Sequence, residues 1–439
     1  MKEIIKKFAP EFVIKHLLVM KKNFYDPWEK LRLAKKVEHK HVELLKKLGS
    51  KEKKRVIFLV FFESVWKLDI LLKKMLADSQ FEPVILVCPY IVFGESRMNE
   101  EMQKCINFFK EKGYPVLSSF DNEKKKWITL DELKPDLVFF TNPHNLTRKE
   151  YYQDAYLNYL SCYVPYHYEV GQYDDNQAQY NQPFHNAIWK IFTPHKTSLS
   201  IFKDTCFTKG KNAELTGYPF AESLSQSIDA KLNPSVWKES SAKVRIIWAP
   251  HHTIDSPELP YSNFLKYAEF FKEISEIYKS EIQWCFKPHP ILKLKLYNHP
   301  QWGIEKTDEY FNFWKNQKFT QLAEGDYIDL FIESTAMIHD SGSFLAEYLH
   351  VNKPVMYLIN NENYLNFYNN FGKSALECCD LGRNKDDILK FINSLRSLTK
   401  VDEDILIKRN TAFFSRECPC EPSQKIIEIL DREFKNASS

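Results

Sequence analysis

The residues of this chain that could carry chemistry stand where apolar runs stop. VRIIWAP runs into His251-His252-Thr253, and IQWCF runs into Lys287-Pro288-His289-Pro290. A third run, Ala336–Ile338, leads to the turn Asp340-Ser341-Gly342-Ser343. Earlier, VPYHYEVG (164–171) sets His167 after an apparent strand, with Tyr166, Tyr168 and Glu169 around it. His144 in TNPHN and His195 in TPHK follow strands in the same way. Imidazoles, a lysine and small hydroxyl-bearing turns at strand ends are groups that move protons and hold phosphate.

The turn at 340–343 is readable in two ways. Asp340 and Ser341 are good N-cap residues for a helix over Phe344–Leu349, so plain capping accounts for them. Gly342 also admits close approach of a ligand to the backbone, and Ser343 adds a hydroxyl, so the free N–H groups there could take a phosphate. Metal signals are weak. No HExxH spacing occurs, and adjacent histidines on an extended chain face opposite ways, so His251 and His252 are not expected to share a metal. The nine cysteines are odd in number and form no CxxC pair, which argues against a disulfide framework or a zinc site. Cys418-Pro419-Cys420 is too tightly spaced for an ordinary zinc half-site.

The elements that must position these groups follow from the pattern of apolar runs. RVIFLVFF, EPVILVCPY and PDLVFFTNP lack alternation, which predicts strands covered on both faces. Helical segments at Leu68–Ala77 and Asn99–Lys112 separate them, implying a parallel sheet with crossover helices. This half continues through SCYVPYHYE and IWKIFTP to LTGYPF. The polar stretch SLSQSIDAKLNPSVWKESSAK (223–243) reads as an interdomain connection. The alternation then restarts: strands VRIIWAP, IQWCFKP, AMIHD and PVMYLI, with helices Tyr261–Lys279 and Phe344–Leu349. The expectation is an α/β protein of two Rossmann-like parallel-sheet lobes facing a central cleft, with a helical N-terminal arm. The boundaries are 1–50 for a basic amphipathic arm, 51–225 and 240–400 for the lobes, and 401–439 for C-terminal helices.

Bulk properties narrow the class. Apolar content of 44% and charged content of 27% are those of a globular protein. The longest apolar run, Val56–Phe62, is far too short to span a bilayer, and no export signal is visible, which favours the cytoplasm. Residues 1–55 hold 17 Lys/Arg against 7 Asp/Glu, a net +10 in a chain of +3, so the body is net acidic. Ile4, Ile5, Phe8, Phe12, Val13, Leu17 and Leu18 recur at helical spacing among the lysines, as do Leu31, Leu33, Val37, Val42, Leu44 and Leu45. Such an arm either lies on an anionic membrane surface, giving peripheral attachment, or packs on its own lobe. Nucleic acid is not expected, since basic charge does not recur beside the crevice motifs.

The ordered set WAPHHT, KPHP and HDSGSFLAEYLHVNKPVMYL, over about residues 244–360, resembles the second lobe of the CDP-glycerol glycerophosphotransferases, the teichoic-acid and capsule polymerases with a GT-B fold. That resemblance implies a nucleotide-activated donor, a polymer or lipid-linked acceptor, and release of CMP. It implies that His289 is an active-site histidine beside Lys287, with His251 and His252 in the neighbourhood of a basic donor-binding position. Asp340, Ser341, Gly342, Ser343 and Glu347 would contact the nucleotide diphosphate. His167 would stand for the first-lobe histidine, here followed by Tyr168 where the family has glycine. No metal is required by the sequence, though magnesium can accompany a diphosphate. A GT-B glycosyltransferase using a nucleotide sugar is the alternative.

Overall fold

Apolar runs without alternation need cover on both faces, and the computed structural model shows where each face goes. It describes residues 26–48, 51–92, 94–228, 235–239, 244–396, 407, 409 and 413–438. The strands are β1 Lys54–Val60, β2 Phe81–Val87, β3 Val116–Ser118, β4 Phe120–Asp121, β5 Lys126–Trp127, β6 Leu137–Phe140, β7 Leu160–Tyr163, β8 Lys190–Thr193 and β9 Ala213–Leu215. The second half adds β10 Val244–Ala249, β11 Ile282–Phe286, β12 Thr320–Leu322, β13 Ala336–His339, β14 Val355–Leu358 and β15 Asp380–Gly382. Strands β4 and β5 form a small antiparallel pair. The rest make two sheets, in the orders β3-β2-β1-β6-β7-β8-β9 and β12-β11-β10-β13-β14-β15, with every neighbour parallel.

Successive strand residues feed opposite cores. Val56, Phe58 and Val60 enter one cluster and Ile57 and Leu59 another. Ile246 and Trp248 face a helix-covered core, while Ile247 and Ala249 face the side that meets the first lobe. Each sheet begins in its middle, moves to one edge and returns to the other. The order therefore reverses between β1 and β6, and again between β10 and β13. At such a reversal the flanking connections diverge and a crevice opens at the carboxyl ends of the strands.

The expected helices form at Asp69–Ala77, Glu95–Glu111 and Phe264–Ile277. The stretch 223–243 departs from a plain connection. A helix, Pro219–Ile228, runs into it, and Trp237 is buried while the Lys238 amide donates to Gln321 of the second sheet. Residues 229–234 and 240–243 lie outside the described residues. The last helix, Pro422–Ser438, returns to the first lobe, where Ile426, Leu430 and Phe434 complete the core around Val56 and Phe58. Residues 401–406, at the start of the expected C-terminal section, lie outside the described residues.

Residues 1–25, half of the expected arm, also lie outside the described residues. The helix Asp26–Leu48 buries Val37 and Leu48 against the first lobe and exposes Trp28, Leu31 and Val42. Among the described residues no helix is long and apolar enough to cross a membrane.

The lobes meet along a backbone seam. Gly171 bridges Tyr368, the Gln172 amide donates to the Phe367 carbonyl at 2.9 Å, and the Asn369 amide donates to the Val170 carbonyl at 3.0 Å.

Candidate active site

At the second reversal point β10 and β13 lie in register, Ala249 beside His339, so the loops leaving them are neighbours. One carries His251 and His252, the other Asp340–Ser343, and β11 on the far side of β10 delivers Lys287 and His289. Asp340 holds the first two segments together: its carboxylate accepts the backbone N–H of His251 at 2.6 Å and that of Asn263. The His289 amide donates to the Pro250 carbonyl at 3.1 Å, which draws the third segment in.

The three imidazoles consequently converge. Ring centres are 4.3 Å apart for His251 and His252, 4.2 Å for His252 and His289, and 5.1 Å for His251 and His289. One nitrogen from each lies within 4.8 Å of the others. The expectation that His251 and His252 face opposite ways therefore fails. Strand β10 ends at Ala249, and the loop pinned by Asp340 no longer obeys strand alternation. Loss of hydration pushes His252 down to about 4, and His251 and His289 well below the usual imidazole range, so all three are neutral. His251 Nδ1 pairs with the Thr253 hydroxyl at 2.9 Å, and His289 Nδ1 accepts the Ile291 N–H at 3.2 Å. The Nδ1 of His252 is buried and has no hydrogen-bond partner among the described residues.

His167 comes from the loop after β7. Its Nδ1–H donates to the Tyr168 carbonyl at 2.9 Å, which leaves Nε2 as a bare lone pair. Loss of hydration lowers its pKa to about 4, with His144 adding to the effect, and its ring packs 4.6 Å from that of Tyr166. It lies near enough to His251 for a charge on one to oppose a charge on the other. Electrostatic reach thus joins first-lobe His167 to His251 of the converging second-lobe trio. His195, also within electrostatic reach of His167, is a buried helix cap, accepting the Ser198 N–H at 2.9 Å and stacking 3.8 Å from Phe371. His144 receives the Gln182 side-chain amide at 3.2 Å.

Four of the expected nucleotide contacts are occupied otherwise. The helix after the turn spans only Gly342–Glu347, with Ser341 as its N-cap and no side-chain capping bond. Asp340 is fully buried on backbone amides, and that burial raises its pKa to about 7 against their pull. Ser341 is buried and its N–H donates to His339 Nδ1 at 3.2 Å. Gly342 is needed for close approach, but to Tyr261: a Cβ there would sit 3.2 Å from the ring. Glu347 is sealed between the lobes, accepting Tyr218 Oη–H at 2.9 Å and Tyr327 Oη–H at 2.5 Å. Packing within the second lobe claims Asp340, Ser341 and Gly342, and the lobe interface claims Glu347, so only Ser343 of the turn keeps partial exposure.

Two lysines flank Tyr327. Lys287 donates to the Gly325 carbonyl at 3.1 Å, and burial lowers its pKa to about 8. Lys67, at the carboxyl end of β1, donates to Tyr327 Oη at 2.6 Å and is lowered by burial despite nearby Glu347. Lys67 lines an interlobe cavity of about 270 Å³ with Phe220, Asp326 and Tyr327. Sequence reasoning missed Lys67, whose one available signal is a lysine in the apolar loop FFESVWKL after a strand.

Two parallel-sheet lobes of this order, joined along one seam, are those of the GT-B fold. Solved structures bear this out. Staphylococcus aureus MnaA with UDP superposes with a TM-score of 0.55 at 16% identity, covering 87% of this chain and 97% of that one. Methanocaldococcus jannaschii UDP-GlcNAc 2-epimerase with UDP-GlcNAc and UDP gives 0.54 at 17% identity, covering 86% and 99%. A variant of the wall teichoic acid polymerase TagF gives 0.55 at 13% identity, covering 96% and 98%. The sequence itself matches no family model and no curated protein.

Proposed function

We propose that this protein is a transferase of cell-surface polymer synthesis, moving glycerol phosphate from CDP-glycerol to a hydroxyl of a teichoic-acid-like or capsular polymer. The observation that carries the reading is His167 with its lone pair free, set against three second-lobe histidines across a GT-B cleft. Likeness to the teichoic acid polymerase over nearly the whole chain supports it.

His167 Nε2 takes the proton of the acceptor hydroxyl as its oxygen attacks the glycerol-bearing phosphorus. A new P–O bond forms, the bond to the cytidylate phosphate breaks, and CMP leaves with the electron pair. His289, with Lys287 close by, stabilises charge on the transferred phosphate, since positioning and electrostatics carry most of such a barrier. The basic arm suits work at the inner face of a membrane, where lipid-linked acceptors lie.

Incubation with CDP-glycerol and acceptor should release CMP, and His289→Ala should abolish release. Undiminished turnover in that variant removes the assignment. The second reading is a GT-B glycosyltransferase, favoured by the two nucleotide-bound likenesses. It predicts release from UDP- or CMP-sugars and none from CDP-glycerol.

A further inference from the structure

We propose that His251, His252 and His289 form a binding site for a divalent transition metal of the Zn2+ class. Three nitrogens within 4.8 Å of one another, drawn from two loops, are the donor set of an open zinc site: three protein ligands and one free position. The donors are all imidazoles, with no carboxylate in the group, which selects Zn2+ or Co2+ over the oxygen-seeking Mg2+ and Ca2+.

Two further details point to a ligand here. The Thr253 hydroxyl at 2.9 Å from His251 Nδ1 is the outer partner that orients a ligating imidazole and leaves Nε2 free. The Nδ1 of His252 is buried without a partner among the described residues, a state that costs free energy until something satisfies it. Metal bonds of about 2.0–2.1 Å in tetrahedral geometry put ligand nitrogens about 3.4 Å apart, so the rings must draw inward. His252 can do so without breaking a bond. His289 moves its proton to Nδ1 and gives up the 3.2 Å contact from the Ile291 amide. His251 stays fixed. The free position can take water or a phosphate oxygen, polarising the latter as a Lewis acid.

The site does not depend on which donor the protein uses, and its test reads the metal directly. The full chain, made without a polyhistidine tag and stripped with a chelator, is titrated with Co2+ by visible absorption and with Zn2+ against a chromophoric chelator. One equivalent should bind, with the strong visible bands of four-coordinate Co2+. His252→Ala and His289→Ala should each weaken Zn2+ binding more than tenfold and remove those bands, with near-ultraviolet circular dichroism confirming the fold. His39→Ala, exposed on the Asp26–Leu48 helix, should bind as the wild type does. Absence of the bands in wild type, or their survival in whichever of the two variants folds, overturns the proposal. Failure to turn over CDP-glycerol would leave both titrations intact.

Discussion

A histidine acts as a base only through a nitrogen with a free lone pair, and His167 has its tautomer chosen by a backbone carbonyl. Replacing it with Asn should lower kcat by about 10²–10⁴ with KM little changed, because the side chain serves the moving proton more than the bound substrate. Loss of less than tenfold in a CMP-release assay would remove the role. Two residues on, Glu169 is fully buried with the Ser198 hydroxyl donating to its carboxylate, and burial raises its pKa to about 8. The folded state therefore keeps a proton that the unfolded state releases near pH 4.5. Stability from this group is full below that pH and declines as pH rises to about 8, by an amount on the order of 4 kcal/mol. Glu169→Gln should flatten that decline and melt higher than wild type at pH 8; parallel melting profiles would refute it. The four cleft histidines were legible in the sequence because each follows a buried strand, and strand ends are where crevices open. Lys67 was not. Its meaning comes from Tyr327 and Glu347, more than 250 residues away, which no local pattern contains. Asp340 and Glu347 were misjudged for the same reason, since their partners belong to other segments.

Elements with a full apolar run announce themselves, and those at sheet edges do not. The central strands start within about two residues of the expected runs, though the runs overshoot their carboxyl ends, by six residues in SCYVPYHYE after β7. By contrast β3, β12 and β15, three residues each at or near an edge and only partly buried, carry no run to read. The seam between lobes was equally silent, because backbone pairing between Gly171 and Tyr368 leaves no side-chain signature. Its sensitivity is concentrated at Gly372, where a Cβ would stand 2.5 Å from the Val170 carbonyl oxygen. Main chain on both sides cannot yield as a flexible side chain would. Gly372→Ala should therefore destabilise by about 1–3 kcal/mol, with faster amide exchange at Gln172 and Asn369, whose bonds close the seam. Unchanged exchange at both amides would show that the seam tolerates the methyl group.

For the molecule as a whole, chain order and core membership disagree at the end. The charged C-terminus reads in sequence only as helices that follow the second lobe. Yet Ile426 and Leu430 are fully buried in the first-lobe core, and the Ser423 amide donates to Glu222 at 3.2 Å where the two helices meet. The approach is tight: Gly217, at φ +91°, would press a Cβ to 2.7 Å from the Pro419 carbonyl oxygen, so both the conformation and the space require glycine. The first lobe therefore cannot complete its core until the second has been made, and the two should unfold as one unit. Leu430→Ala should cost about 2–5 kcal/mol, the range for a large side chain removed from a packed interior. The loss should be read first at β1, as faster exchange of the amides of Lys54–Val60, although Leu430 lies at least 370 residues further along the chain. A helix that merely decorated the surface would give less than about 0.5 kcal/mol and leave β1 protected. Stopping the chain after Cys420 is the stronger form of the same experiment. It should lower the melting temperature and expose the first-lobe core to a hydrophobic dye, even though no residue of either crevice has been touched.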